Sequence, residues 1–182
     1  MPDMTTHPLA ALVYDGDTGH GEEADVLLQA FCHLLLGSGW RVGGLLQQCV
    51  PPEGGGRPRL LLVDLGTDER FSISQKLGPH SRACSLDTGG IAQASAVLRR
   101  ALADGVHLAV TNRFGELEAQ GGGFVAEIAA LADAGIPVLT VVAAKHLDGW
   151  RRFTGGLGEE LPLRMSALSA WFTLVAGHRV PA

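Results

Sequence analysis

Short apolar runs alternate with stretches of helical spacing along most of the chain. Leu9 to Tyr14 is apolar and stops at a glycine-rich loop, as a buried strand does. From Glu22 to Leu36, residues Ala24, Leu27, Leu28, Phe31, Leu34 and Leu35 recur at helical spacing, with Gly37 and Gly39 as stop signals. Arg41 to Gln47 reads as a second strand, and Pro51 to Pro58 as loop by composition. "RLLLVDL" and "RFSISQKL", separated by Gly66-Thr67-Asp68-Glu69, read as a hairpin, and Arg82 to Leu86 as a further short strand. Asp87 or Thr88 caps a helix running to about Ala103, which Gly105 ends. Val106 to Asn112 is an apolar strand that gives way to the polar loop "RFGELEAQGGG". A helix from Phe124 to Ala134, a strand from Ile136 to Ala143, a short helix from Lys145 to Phe153 and a helix from Leu163 to Ala176 complete the pattern.

Apolar strands alternating with helices predict an α/β fold of three layers, a mostly parallel sheet flanked by helices, with a small antiparallel hairpin added. The chain of 182 residues fits a single domain over residues 1–182. Ligands of such sheets lie outside the carboxyl ends of the strands. That rule selects three loops: Asp15 to Gly21, Arg113 to Gly123 and Ala144 to Trp150.

Composition narrows the classes of function. A hydrophobic content of 46% with 18% charged residues describes a compact chain with a substantial core. The formal charge of −5 and the scattered basic residues argue against a nucleic-acid partner. Cys32, Cys49 and Cys84 form no C-x-x-C pair, so neither a disulfide framework nor a zinc site is expected. With no leader-like start and no run of eighteen apolar residues, the expectation is a cytoplasmic protein without a membrane span.

"GDTGHGEE", Gly16 to Glu23, lies between the first strand and the first helix. Set against the phosphate-loop pattern G-x-x-x-x-G-K-[ST], Gly16 and Gly21 fit, but Glu22 stands at the lysine position and Glu23 at the hydroxyl position. The backbone of Gly16, Asp17, Thr18, Gly19, His20 and Gly21 would cradle an anion in front of a helix start. The two glutamates would repel a phosphate chain unless a metal or an arginine intervened, and Glu22 and Glu23 are accordingly candidate metal ligands. A plain glycine turn with two first-turn acids favouring the helix dipole is the competing explanation. With 25 glycines in the chain, about three such glycine pairs arise by chance, so context decides more than spacing.

"NRFGELEAQGGGF" (Asn112 to Phe124), taken with "GGLLQ", "ISQKLGPHSRACSLD" and "IPVLTVV", resembles a bacterial family known only as a domain of unknown function, family 2478, over roughly Leu9 to Pro162. That family is similar in layout to THEP-type nucleoside-triphosphatases, and its members often sit beside molybdate-transport genes. The resemblance implies a P-loop-NTPase-like fold with Gly16 to Glu23 at the phosphate loop. It also implies that Asn112 stands where those enzymes carry an acid assisting magnesium, while Gly115 and Glu118 keep their places.

Arg113 follows a buried strand at the expected ligand edge, where its forked donors could replace the missing loop lysine. Pairing with Glu116 or Glu118 on the same loop is the plain alternative. Asn112 and Arg113 thus join the loop residues as candidate ligand contacts. Lys145 and His146 occupy the same edge after the last buried strand. Glu118 is the candidate general base, and Asp64, Glu116 and Glu118 are further carboxylates that could join a divalent cation.

These features predict a protein that binds a nucleotide with magnesium, or a tetrahedral oxyanion such as phosphate or molybdate, through a degenerate P-loop. Its role would be regulatory or accessory, with little or no hydrolysis and, by the resemblance, a link to molybdate. Two alternatives stay open: a nucleoside triphosphatase or phosphotransferase with relocated catalytic residues, and a protein-interaction scaffold without a small ligand. A homo-oligomer or a protein partner is compatible with each.

Overall fold

A computed structural model describes residues 7–16, 21–54, 58–74, 87–177 and 179–181. Seven strands make one sheet: β1 (Leu9–Tyr14), β2 (Val42–Val50), β3 (Arg59–Asp64), β4 (Arg70–Ser72), β5 (Leu108–Arg113), β6 (Val138–Ala143) and β7 (Glu159–Leu161). Their spatial order is β4-β3-β2-β5-β6-β1-β7. The five strands from β2 to β7 in that order run parallel, and β2-β3-β4 continues as an antiparallel meander. The helices are α1 (Gly21–Gly37), α2 (Thr88–Asp104), α3 (Glu116–Ala119), α4 (Val125–Asp133), α5 (Leu147–Phe153) and α6 (Met165–Ala176).

Strand alternation divides the core between the two faces of the sheet. Ala10 and Leu12 of β1, with Leu108 and Val110 of β5, pack under α1 and α6 against Phe31, Cys32, Trp171 and Phe172. Leu9, Ala11 and Ala109 pack on the other face against Ile91 and Leu98 of α2, Ile128 and Leu131 of α4, and Trp150 of α5. The result is the expected three-layer α/β arrangement. Among the described residues, no helix is long and apolar enough to cross a membrane.

The ends of α2 follow its local chemistry. The Asp87 carboxylate accepts from the Gly89 N–H at 2.9 Å, and Gly105 closes the helix in the left-handed conformation at φ 58°. Two elements have no counterpart in the sequence pattern. The single turn α3 lies inside the loop after β5, and β7 is a three-residue edge strand. Helix α6 starts at Met165 rather than Leu163, because Arg164 is still extended at φ −144° and ψ 132°. The short strand expected over Arg82 to Leu86 lies outside the described residues.

Gly44 is where β2 changes partner. Residues Val42 to Gly44 pair with β5 in parallel, and from Leu45 onward β2 pairs with β3 antiparallel. Gly44 makes that change at φ 125°, and a Cβ there would stand 2.0 Å from the Val110 carbonyl oxygen. Just beyond, the β3–β4 hairpin is tied by Asp64, which is 1% exposed. Its carboxylate accepts from the Gly66 N–H at 2.8 Å, from the Thr67 hydroxyl at 2.7 Å and from the Arg100 guanidinium of α2. Burial alone would raise this carboxyl. The hydrogen bonds and the arginine outweigh burial and hold it below its ordinary 3.8.

Two outcomes test this account. Gly44→Ala, facing both left-handed backbone and a carbonyl contact, should lower stability by roughly 2–4 kcal/mol in denaturant unfolding. Asp64 has a depressed folded pKa, so its contribution is complete above 3.8 and is lost as pH falls below that value. Asp64→Asn should therefore cost about 2–3 kcal/mol near neutrality and flatten the loss of melting temperature below pH 4. An unchanged acid slope would remove Asp64 as its source.

Candidate functional site

The carboxyl ends of β1, β5 and β6 meet at one edge of the sheet, and the start of α1 faces them. Gly16 follows β1, and Gly21 is the first residue of α1. Asp17, Thr18, Gly19 and His20 lie outside the described residues, and with them the expected backbone cradle. Glu22 and Glu23 occupy the first turn of α1 and are exposed.

Arg113 does not project freely from this edge. Leu108 and Val110 face α1 while Ala109 faces α2, so unbroken alternation would turn Arg113 away from α1. A register shift between Val110 and Arg113, as in a β-bulge, re-aims it. Its Nη2 donates to Asp25 Oδ2 at 2.8 Å and to the Gly21 carbonyl at 3.1 Å. The guanidinium carbon also lies 4.9 Å from the centroid of the Tyr14 ring. Gly21 permits this approach, since a Cβ there would sit 3.2 Å from Nη2.

The partner is therefore Asp25 of α1, not Glu116 or Glu118 of its own loop. Asp25 is a full turn beyond Gly21 and outside the glycine motif, which is why the motif does not point to it. Burial pushes the Asp25 carboxyl above its ordinary value, with Glu22 adding to the effect. Arg113 and a hydrogen bond from Gln47 pull it down without prevailing.

Asn112 and Arg113 line a cavity of about 440 Å³ at this edge. Tyr14, Gln47, Lys145 and His146 are further polar lining residues, while Leu60, Ile73, Ile91 and Phe124 form apolar wall. Asn112 is 9% exposed, and both its Oδ1 and the Nη1 of Arg113 are buried without a hydrogen-bond partner. His146 Nδ1 stands 3.6 Å from a carboxylate oxygen of Glu116. Glu118 is occupied: its oxygens accept from the Gly115 N–H at 3.0 Å and the Phe124 N–H at 3.2 Å. Those bonds fold the loop around α3, and Gly123 at φ 58° makes room for the Glu118 carboxylate.

The structure therefore brings Asn112, Arg113, Lys145 and His146 to one cavity, with Glu116 and Glu118 at its margin. Asp64 is engaged in the β3–β4 hairpin instead, bonded to Gly66, Thr67 and Arg100. Among the described residues, no group of three or more His, Cys, Asp or Glu side chains could hold a metal ion. A cation shared by Glu22, Glu23, Asp64, Glu116 and Glu118 has no such cluster behind it.

The chain belongs to the family described as Protein of unknown function (DUF2478), whose model matches residues 9–171. It is also similar to the "Molybdenum import ATP-binding protein ModC 2" of Bradyrhizobium diazoefficiens, at 38% identity over 170 residues. The match covers 93% of this chain and 18% of that protein, so most of the relative lies outside it. No solved structure matches the chain. With the apolar strand β1, one position in from the edge strand β7, preceding the glycine-containing segment and α1 in the chain, the α/β sheet has a P-loop-NTPase-like layout.

The Arg113–Asp25 pair has a measurable signature. Arg113→Met should cost about 2–3 kcal/mol at neutral pH, because it leaves the half-buried Asp25 charge unpaired. Adding Asp25→Asn should recover more than half of that loss. A double-mutant cycle on urea unfolding measures the coupling, and simple additivity would show that the two side chains do not stabilise each other.

Proposed function

We propose that this chain binds a nucleotide or small oxyanion at the carboxyl edge of its sheet without efficient hydrolysis, as an accessory module of molybdenum import. The observation that carries the reading is the cavity beside the strand–loop–helix unit, with two adjacent residues of β5, Asn112 and Arg113, holding buried polar atoms that lack partners. Leaving such groups unpaired costs roughly 1–3 kcal/mol each. After modest side-chain rotation a ligand oxygen can accept from Arg113 Nη1, while Asn112 Oδ1 calls for a ligand donor such as a hydroxyl or amino group, or turns its amide N–H to the anion instead. Arg113 and Lys145 supply positive charge, and an edge location is where ligands of parallel sheets bind.

Binding without turnover is supported by what occupies the catalytic positions. Glu22 and Glu23 stand where a phosphate loop carries its lysine and hydroxyl, and Asp25 adds a third carboxylate to the same helix start. Glu118, the candidate base, spends both oxygens on backbone N–H groups and acts in this reading as a positioning residue. The accessory role draws on the relative: a stretch like this chain makes up 18% of a molybdenum import ATP-binding protein. Covalent attachment within that protein favours work alongside its other parts. The degenerate loop fits a module that leaves ATP turnover to a separate unit.

The test is thermal unfolding with ATP, GTP, ADP, phosphate, molybdate and tungstate, each with magnesium. A ligand at a hundred times its dissociation constant should stabilise by about 2.7 kcal/mol. That gain should disappear in Asn112→Ala, and phosphate release from ATP should not exceed the protein-free rate. The reading fails if no ligand shifts the transition, or if every shift survives Asn112→Ala. Phosphate release that Glu118→Gln abolishes would favour the triphosphatase alternative.

A further inference from the structure

A second cavity, of about 410 Å³, opens at the opposite end of the sheet, at the amino ends of β2, β5 and β6. Arg41, His107 and Arg179 line it with Gly105, Val106 and Ile136. The backbone N–H of Arg41 donates to His107 Nδ1 at 3.1 Å. An imidazole nitrogen that accepts carries no proton, so the neutral ring keeps its hydrogen on Nε2. In that tautomer the N–H lies 3.4 Å from Arg41 Nη2, one donor facing another. Trp40 holds the imidazole edge-on, with ring centroids 5.3 Å apart.

The arginines have other bonds, but these do not exhaust them. Arg41 Nη2 donates to the Gly105 carbonyl at 3.0 Å, and Arg179 Nη2 to the Gly135 carbonyl at 2.8 Å. Capping the ends of α2 and α4 accounts for one nitrogen of each guanidinium, which carries five N–H donors. Among the described residues, neither arginine pairs with a carboxylate. Asp104 and Asp133, the last residues of α2 and α4, are exposed. Burial, then Arg41 and Arg179, hold the His107 imidazole below its ordinary 6.5. In a chain of net charge −5, this is a local concentration of donors and positive charge.

We infer that this cavity is a second anion site, which takes a doubly charged tetrahedral oxyanion between His107 Nε2–H and the Arg41 and Arg179 guanidinium groups. An oxyanion supplies the acceptor that the facing donors lack, and its charge offsets that of the two arginines. The ligand class comprises phosphate, sulfate and molybdate, which share the shape and charge the three donors can read. This inference does not depend on the function proposed for the other cavity, since the two lie at opposite ends of the strands.

The test follows the His107 side-chain nitrogens by NMR while sodium phosphate, sulfate or molybdate is raised to millimolar concentration across a pH series. Without anion, the neutral ring should show the Nε2–H tautomer. With a bound anion, its titration should move up by about one pH unit, and the three salts rank the natural class. Arg179→Gln lies on an exposed residue and spares the fold. It should weaken the response about tenfold, and Arg41→Gln should do the same. Asn112→Ala, which alters the other cavity, should leave the His107 response in place. No movement with any of the three anions overturns the inference. So does a response of full affinity in Arg41→Gln with Arg179→Gln. Stabilisation by an anion that leaves the His107 titration where it was would place that anion elsewhere and overturn it as well.

Discussion

One guanidinium pins the start of α1 to the carboxyl edge of the sheet. Arg113 reaches Asp25 and the Gly21 carbonyl only because the register shift in β5 turns it toward α1. Tyr14 supports the guanidinium from below, and Gly21 leaves the space it needs. The geometry of the cavity follows from that contact. With Arg113 drawn to α1, Asn112 and Phe114 take the neighbouring wall positions, and the loop beyond them is folded by Glu118 around α3. A bulge next to a binding edge commonly serves to re-aim one side chain, and here that side chain is the one joining two elements.

The same contact sets the electrostatics. Glu22, Glu23 and Asp25 place three carboxylates in the first two turns of α1, and Arg113, the arginine that reaches this helix start, is already paired with Asp25. Acids at a helix start stabilise the helix through its dipole, so the sequence is well suited to holding α1 in place. A triphosphate chain needs the opposite arrangement, in which backbone N–H groups and a lysine face the anion alone. The helix start thus gains stability from the charges that weaken it as a phosphate seat. Positive charge at the cavity comes instead from across the edge, at Arg113 and Lys145. Under the proposed reading, a ligand at this edge would centre on the ends of β5 and β6, where these cations lie.

Most of the layers were legible along the chain because they rest on local signals. The uniformly apolar run of β1, the helical spacing of α1 and the Asp87 and Gly105 caps of α2 each announce an element within a few residues. The hairpin of β3 and β4 was marked by its turn residues. What could not be read is what depends on register and on distant partners. β7 consists of Glu159, Glu160 and Leu161, with no alternation to reveal it, and it exists because β1 offers an open edge. The β5 bulge has no sequence mark, so the spacing that put Arg113 at the ligand edge gave no sign that Asp25 would claim it. Asp64 looked like a spare carboxylate until the turn and Arg100 were seen to use it. Arg41 and His107 are separated by 66 residues and were unremarkable until the parallel pairing of β2 with β5 set them side by side.

The two ends of the sheet illustrate one principle with opposite signs. In a parallel sheet every strand enters from the same side, so its amino ends collect the carboxyl ends of helices, with their unpaired carbonyls and partial negative charge. Arg41 and Arg179 answer two of those carbonyls, at Gly105 and Gly135. Their remaining donors, with the proton that the Arg41 backbone forces onto His107 Nε2, exceed the local acceptors. At the carboxyl ends, the start of α1 should favour anions, yet its carboxylates compete with them. The usual polarity of the fold is therefore reduced at the edge where ligands are expected and offset by side chains at the edge where anions are not. A chain selected only to keep a phosphate site would have little reason to place acids at one end and unsatisfied donors at the other. The anion site inferred at the amino ends would account for the donors, and the stabilisation of α1 for the acids.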